Sequence, residues 1–193
     1  PHGLPDTEHY TTAYDMALMA REAMSNKIIR EIVSTKSITF EKSDTPTSRC
    51  FNTRVFYNTN KFLTSTEKIQ YKGQLIDIKY DIVDGIKTGY TDDAGRCLLS
   101  SAVKNGMRVI TAVFKDQGTD VYVDSRTLID YAFSTYYTQT IIDKTDYTKT
   151  ERVLFTKEKE LLYEPAYNYK LVLEKGSYVS ENYTAKRVAE FIV

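Results

Sequence analysis

The sequence has few of the residues that disulfide-rich and metal-binding proteins need. Its two cysteines, Cys50 and Cys97, are too few for a disulfide framework and form no metal-binding motif. Its two histidines, His2 and His9, lie close to the start of the chain and have no cysteine nearby. We interpret both histidines as part of the local structure, so the sequence predicts no metal site.

The chain also lacks an excess of charge and a long hydrophobic run. The 26 basic and 26 acidic residues give a net charge of zero, which argues against a nucleic-acid-binding protein and against a polybasic membrane surface. No stretch of about 18 consecutive apolar residues occurs, so we expect no membrane-spanning helix. The hydrophobic share of 41% is ordinary for a globular protein, and 193 residues suffice for one domain and part of a second.

The stretch at residues 83–92, Val-Asp-Gly-Ile-Lys-Thr-Gly-Tyr-Thr-Asp, has the residue types of a site that binds a carboxylate. Lys87 offers a compact cation, and Thr88 offers a hydroxyl donor beside it. Gly89 lets the backbone of a bound peptide lie close to the strand, and the backbone N–H of Tyr90 would stabilise a developing oxyanion. A tripeptide as short as Lys-Thr-Gly also occurs by chance in ordinary strand-to-turn segments, so its surroundings must decide.

Three segments, taken together, carry a family resemblance. Lys-Thr-Gly lies within residues 83–98, Pro-His-Gly-Leu-Pro-Asp at residues 1–6 runs on into residues 10–17, and Asn-Thr-Asn-Lys-Phe-Leu occupies residues 58–63. In this order they resemble segments of the serine-type D-alanyl-D-alanine carboxypeptidases, the low-molecular-mass penicillin-binding proteins of peptidase family S11. The likeness extends from residue 1 to about residue 137.

The resemblance implies an α+β fold. We expect residues 1–137 to be the C-terminal portion of the catalytic domain, a penicillin-binding/β-lactamase-like transpeptidase fold in which an antiparallel sheet packs with helices. Residues 138–193 would form a small β-rich domain that is truncated at its end. We interpret the chain as a processed or truncated piece, so its lack of a signal peptide is uninformative about the parent protein.

Local signals predict the individual helices and strands. Thr12 as N-cap, with Asp15 in the first turn, predicts a helix from about residue 12 to residue 24. Asn105-Gly106 lies between two apolar runs and predicts a hairpin with helices on both faces, with residues 85–90 as its neighbouring edge strand. The other expected elements are a short helix at 28–33, strands at 37–40 and 54–57, a loop at 41–48, a small hairpin within 64–81, a helix from about 123 to 136, and tail strands at 141–142, 153–155, 161–163, 169–173 and 188–193.

By resemblance, the intact protein removes the terminal D-Ala from peptidoglycan stem peptides through an acyl-serine intermediate and is acylated by β-lactam antibiotics. The implied catalytic residue is Lys87, and the implied substrate-binding residues are Lys87, Thr88, Gly89 and Tyr90. No metal, other cofactor or nucleic acid is implied. We expect activity to need the upstream half of the same protein, and we expect a location outside the bacterial cytoplasmic membrane, at its outer face or in the cell wall.

The chain departs from the family pattern at the nucleophile, which the family carries in a Ser-x-x-Lys motif before the other motifs. Three formal matches to the family's serine motifs are interpreted as chance: about one Ser-x-x-Lys match is expected in a chain of this composition, and the Ser-x-Asn match lies in the tail domain. They are Ser65 with Lys68, Ser101 with Lys104, and Ser180 with Asn182. We therefore expect no nucleophile in this chain and expect the chain alone to be inactive.

A second departure is at Val121, which stands where the family commonly has an arginine that helps to hold the substrate carboxylate. Two alternatives to the carboxypeptidase stay open. One is a β-lactamase-related enzyme, against which the Asn-Thr-Asn segment at residues 58–60 and the β-rich tail argue. The other is a non-catalytic peptidoglycan-binding or assembly module that has lost the nucleophile.

Overall fold

A computed structural model describes residues 6, 8–42, 52–152, 160–163 and 166–177. The chain divides into two compact units, Pro1–Ser134 and Thr135–Val193, which are described one at a time. None of the described helices is both long and apolar enough to cross a lipid bilayer. The elements that begin in the first unit are α1 (Ala13–Ala23), α2 (Lys27–Ser34), β1 (Ser37–Phe40), β2 (Arg54–Tyr57), α3 (Lys61–Thr64), β3 (Lys68–Tyr71), β4 (Gln74–Asp77), β5 (Val83–Thr91), β6 (Gly95–Lys104), β7 (Met107–Asp116) and α4 (Asp120–Thr135).

Polar side chains cap α1 and α2. Thr12 Oγ1 accepts a hydrogen bond from the Asp15 backbone N–H at 3.1 Å and donates one to the Asp15 carboxylate at 2.8 Å. Asn26 Oδ1 accepts hydrogen bonds from the backbone N–H groups of Ile28 and Ile29, at 2.9 and 3.3 Å. These bonds satisfy N–H groups that have no partner inside a helix. Both predicted helices are confirmed, and each begins after a short polar residue.

Strands β5, β6 and β7 form an antiparallel sheet in that order. The β6–β7 hairpin turns at Asn105 and Gly106, whose φ angles are 50° and 75°. A type I′ turn requires positive φ at both positions, which Asn and Gly tolerate best, so the predicted hairpin is confirmed. Among the described residues, β5 is an edge of this sheet, as predicted for residues 85–90.

Helices pack on both faces of the sheet, as the apolar hairpin predicts. Ala102 of β6 is fully buried in a core that also contains Ile129 of α4. Its neighbour Ser101 faces the other side, because successive residues of a strand alternate between faces. Ser101 pairs with Gly85, where an added Cβ would lie 2.8 Å from Cγ2 of Val33, so α2 packs closely on that second face.

Four large apolar side chains of α1 and α2 point away from the core, and we call them the outer apolar residues: Tyr14, Met19, Ile28 and Ile32. Ile28 and Ile32 are four positions apart, so they share one face of α2, where they are 66% and 65% exposed. Tyr14 and Met19 of α1 are 72% and 63% exposed. The neighbouring β1–β2 hairpin is also exposed along both strands. This part of the unit therefore presents apolar surface that the described chain does not cover.

A polar cluster fastens the β3–β4 hairpin to α4. The hydroxyls of Tyr71 and Tyr80 donate to the two carboxylate oxygens of Asp130, at 2.8 and 2.6 Å. The Arg126 guanidinium lies 3.9 Å from the centroid of the Tyr80 ring. Burial, helped by the hydrogen bond to Asp130, raises the pKa of Tyr80 to about 12. The small hairpin expected within residues 64–81 is thus present and fixed to the helix.

The second unit is β-rich, as expected. It contains β8 (Tyr136–Ile142), β9 (Lys149–Arg152), β10 (Glu160–Tyr163) and β11 (Tyr169–Glu174), with a 3₁₀ turn at Lys144–Tyr147. Strand β8 pairs antiparallel with β11, and β9 with β10. The helix expected to reach residue 136 ends one residue earlier, because Tyr136 begins β8 and pairs with Glu174.

Several expectations lie wholly or partly outside the described residues. They are the strands at 153–155 and 188–193, most of the loop at 41–48, His2, Cys50, and the pair Ser180 and Asn182. The domain boundary after residue 137 and the truncation of the second domain stay predictions.

Candidate functional site

A cavity of about 450 Å³ opens in the first unit beside the edge strand β5. Its walls come from β5, the start of β6, the segment that leads into α3, and the start of α4. The residues that line it are Thr59, Lys61, Thr88, Gly89, Tyr90, Arg96, Cys97, Leu98, Gly118, Thr119, Val121 and Tyr122. Three of the four predicted site residues, Thr88, Gly89 and Tyr90, therefore meet at one cavity.

The pairing of β5 with β6 determines which side chains face the cavity. Thr88 lies opposite Leu98, which is fully buried in the core that includes α4, and Tyr90 lies opposite Arg96. Residues two apart on a strand face the same side, so Thr88 and Tyr90 share the side on which α4 packs. The Thr88 hydroxyl is 2.6 Å from the Thr59 hydroxyl, and either oxygen can donate the hydrogen bond between them.

Gly89 leaves the edge of β5 open. A Cβ added at Gly89 would lie 3.6 Å from Cys97 Cβ, which is an ordinary van der Waals contact. The fold itself therefore tolerates a small side chain at residue 89. What the glycine preserves is the free space along the exposed edge of the strand, where the backbone of a bound peptide can approach.

Lys87 takes a different position from the other three predicted residues. It faces the opposite side of β5 and does not line the cavity. Its exposed ammonium donates a hydrogen bond to the Thr88 carbonyl oxygen at 2.5 Å. A role for Lys87 at the cavity requires a change of its side-chain rotamer, and the role stays a prediction.

Thr59 is a cavity residue outside the predicted set, and its two neighbours hold it in place. The Asn58 side-chain amide donates hydrogen bonds to the carbonyl oxygens of Val33 and Thr35, both at 3.0 Å. Asn58 Oδ1 accepts a hydrogen bond from the Asn60 backbone N–H at 2.9 Å. The Asn-Thr-Asn segment thus links the end of α2 to the cavity. This segment is one of the three that carry the family resemblance, and that resemblance was the sequence feature that pointed to Thr59.

Arg96 is a second cavity residue that sequence reasoning missed. Its guanidinium lies 4.6 Å from the centroid of the Tyr90 ring, a cation–π contact. The Tyr90 hydroxyl donates a hydrogen bond to Asp92 at 2.9 Å, and this bond raises the pKa of Tyr90. Only the register of β5 and β6, which the sequence does not state, brings Arg96 to the cavity.

The far wall of the cavity is formed by the start of α4. Tyr122 is buried there, and burial raises the pKa of its hydroxyl. This hydroxyl accepts a hydrogen bond from the Lys61 backbone N–H at 3.2 Å, which joins α4 to the start of α3. Beside it, Val121 is buried and contributes an apolar surface to the wall.

The serine matches interpreted as chance lie away from the cavity. Ser65 ends α3, and its hydroxyl accepts a hydrogen bond from the Glu67 backbone N–H at 3.0 Å. Ser101 is fully buried on the second face of the sheet and accepts a hydrogen bond from Arg108. Within the described part of the chain, no serine lines the cavity. The absence of a nucleophile from the whole chain stays a prediction.

The described residues offer little to a metal ion. No three His, Cys, Asp or Glu side chains among them come together as a possible coordination site. Cys97, at the cavity, is a free cysteine.

Comparison with known proteins gives a consistent result. The family model of the D-alanyl-D-alanine carboxypeptidases, peptidase family S11, matches residues 1–118. D-alanyl-D-alanine carboxypeptidase DacF of Bacillus subtilis is 32% identical over 167 residues, which are 82% of this chain and 36% of that protein. DacA of Haemophilus influenzae is 29% identical over 181 residues, which are 91% of this chain and 39% of that protein. This chain therefore spans less than half the length of these relatives.

Solved structures agree with the expected fold class. Penicillin-binding protein 3 of Streptococcus pneumoniae, described as a peptidoglycan synthesis regulatory factor, matches with a TM-score of 0.60 and 25% identity over 92% of this chain and 46% of that one. Penicillin-binding protein 5 of Haemophilus influenzae matches with a TM-score of 0.58 and 25% identity over 91% of this chain and 45% of that one. The predicted α+β penicillin-binding fold, with its β-rich tail, is confirmed.

Proposed function

Because this chain belongs to the D-alanyl-D-alanine carboxypeptidase family, peptidase family S11, we propose that it is part of an enzyme that removes the terminal D-Ala from peptidoglycan stem peptides. The observation that carries the proposal is the cavity at the edge of β5, where Thr88, Gly89 and Tyr90 meet. An edge strand has unpaired backbone groups, so a stem peptide can lie along β5 as an added strand. The substrate would place the enzyme at the outer face of the bacterial cytoplasmic membrane or in the cell wall.

In this proposal the cavity residues hold the peptide by its C-terminus. The Thr88 hydroxyl would exchange its bond with Thr59 for a bond to the substrate carboxylate. The open edge at Gly89 would admit the peptide backbone, and the Tyr90 N–H would donate to the oxyanion as it forms. Lys87 would turn its ammonium from the Thr88 carbonyl towards the reacting groups and supply positive charge.

The bond-making residues would come from a Ser–Lys pair upstream of residue 1, and the chain's small share of its relatives' length supports this part of the proposal. The serine oxygen would attack the carbonyl carbon of the penultimate D-Ala while the lysine takes its proton. The C–N bond would then break, the amine of the terminal D-Ala would take up a proton, and water would later hydrolyse the acyl-serine ester. β-Lactams would acylate the same serine.

Acylation by a fluorescent penicillin tests the proposal. We expect a covalent adduct on the intact protein, seen on a denaturing gel and located by mass spectrometry, and none on residues 1–193 alone. In the intact protein, Lys87→Ala should slow acylation about 100-fold, since one lost transition-state donor costs roughly 3 kcal/mol. An adduct on Ser65 or Ser101, or an unchanged rate in Lys87→Ala, would contradict the assigned roles.

A second candidate function is a non-catalytic module that binds peptidoglycan or takes part in its assembly. The observation in its favour is that no serine of the described chain lines the cavity. The same experiment separates the two functions, because a module without a nucleophile forms no adduct even when intact. A β-lactamase-related enzyme would form the adduct and hydrolyse it quickly. A chase with an excess of unlabelled penicillin detects this loss of the fluorescent adduct.

A further inference from the structure

The lining of the cavity is positively charged. It includes two basic residues, Lys61 and Arg96, and no acidic residue. An aqueous cavity with this lining favours an anion over a cation or a neutral group. The two basic residues differ, however, in whether their charge is already compensated by the protein.

Lys61 is already paired. Its ammonium lies 2.7 and 2.8 Å from the two carboxylate oxygens of Glu67. Both side chains of this pair are partly exposed, and their opposite charges leave little net field in the cavity. Lys61 would have to give up Glu67 before it could bind an anionic ligand.

Arg96 has no such partner. Arg96 also lines a second cavity with Asp92, Asp93 and Asp116. Among the described residues, however, no carboxylate forms an ion pair with its guanidinium. The ring of Tyr90 lies 4.6 Å away and supports one face of the guanidinium plane, while the hydrogen bond from Tyr90 to Asp92 fixes the ring. A guanidinium that is stacked on one face keeps its N–H donors free at the edge, which suits a planar carboxylate.

The opposite wall of the cavity supplies no competing cation. At the start of α4, where the family resemblance implies an arginine, Val121 presents a buried apolar side chain. Arg96 approaches from a different element, β6, and lies next to the strand that carries Thr88. A carboxylate in the cavity would thus meet a charged donor from β6 and a hydroxyl donor from β5.

We propose that Arg96 binds the C-terminal carboxylate of the substrate, together with Thr88. Arg96 would thus supply the positive charge that Val121 of α4 cannot. The inference rests on the proposed function, which provides a peptide with a free C-terminus. It assigns Arg96 to ligand binding and specificity, because the guanidinium would touch the carboxylate and not the bond that breaks.

The test compares two ligands in the intact protein: a peptide that ends in D-alanyl-D-alanine as the free acid, and the same peptide as its C-terminal amide. We expect Arg96→Ala to lower kcat/KM for the acid by about 10- to 100-fold, the usual value of a charged hydrogen bond, and to leave the amide nearly unchanged. Arg96→Lys should recover part of the loss, because lysine keeps the charge and loses the planar fork. Arg21→Ala, at an exposed arginine of α1, is the matched control.

Binding of the same two peptides by isothermal titration calorimetry decides the inference independently of turnover. We expect the acid to bind the wild type at least about tenfold more tightly than it binds Arg96→Ala, with equal melting temperatures of the two proteins. An equal preference for acid over amide in both proteins would overturn the assignment of Arg96. If the wild type binds the acid through Arg96 but hydrolyses neither peptide, the proposed enzyme activity fails and the carboxylate site stands.

Discussion

The two faces of the β5–β6–β7 sheet differ in how completely the described residues cover the apolar side chains that pack there. On the α4 face, Leu98 and Ile129 are fully buried, and Val121 is 3% exposed. On the other face, α1 and α2 pack against the sheet with one side, while the outer apolar residues lie on the surface. The cavity lies on the well-covered side, where helix, hairpin and sheet hold one another. The cavity therefore has a closely packed support, whereas the opposite side exposes apolar groups to which another chain can bind.

The largest expected effect is the loss of stability on truncating a core side chain on the α4 face. Ile129→Ala should lower the free energy of unfolding by about 2–5 kcal/mol, because it removes buried methyl and methylene groups and leaves a cavity. Ile28→Ala is the matched control on the other side, and it should change stability by no more than about 0.5 kcal/mol, since Ile28 is 66% exposed. Urea denaturation followed by circular dichroism measures both variants. Equal losses would mean that the two sides do not differ in packing.

A second effect concerns association through the other side. We expect residues 1–193 to associate as their concentration rises, because exposed apolar groups attract one another and an unpaired sheet edge is a template for another strand. The double variant Ile28→Asp/Ile32→Asp should weaken this association about tenfold, by replacing apolar contact with charge repulsion. Light scattering over a concentration series measures the effect.

The control variant for association carries two new aspartates away from the outer apolar residues. Gln70→Asp/Gln74→Asp places them on exposed positions of the β3–β4 hairpin and should leave association unchanged. A wild-type chain that stays monomeric and melts cooperatively at the highest concentration would show that the outer apolar residues need no partner.

The smallest effect is a pH dependence of stability, which compares Tyr80, in the polar cluster that joins the β3–β4 region to α4, with the exposed Tyr14 of α1. The pKa of Tyr80 is about 12 in the folded protein and about 10 in an unfolded chain. The stabilisation linked to its neutral hydroxyl is therefore complete below pH 10 and is lost as the pH rises towards 12. Tyr80→Phe should cost about 1 kcal/mol at neutral pH and should flatten the decline of stability between pH 10 and 12. The exposed Tyr14, changed to Phe, should leave that decline unaltered.

Features set by neighbouring residues could be read from the sequence. The cap at Thr12 and the turn at Asn105-Gly106 depend on bonds and φ angles within a few positions, and both are present as predicted. The family motif likewise located Thr88, Gly89 and Tyr90 at one cavity. The predictions of the cap and the turn succeed because the residue types themselves restrict the local conformation. The substrate-binding roles of the three cavity residues stay predictions.

Features that join distant segments could not be read in the same way. The bonds from Tyr71 and Tyr80 to Asp130 span 59 and 50 positions, and no local pattern announces them. Arg96 reaches the cavity only through the register of β5 on β6. The direction of Lys87 depends on a rotamer and a backbone carbonyl that the tripeptide does not specify. In each case tertiary geometry decides what composition and spacing leave open.

The two glycines of β5 differ in how much space the fold leaves for a side chain. At Gly85, an added Cβ would lie 2.8 Å from Cγ2 of Val33, so even alanine requires Val33 or α2 to move. At Gly89, the same replacement meets only ordinary contact with Cys97 and leaves the fold intact. A library randomised at both positions would therefore lose variants at residue 85 under a screen for folded protein alone. Variants at residue 89 would survive that screen and disappear only when peptide binding is required.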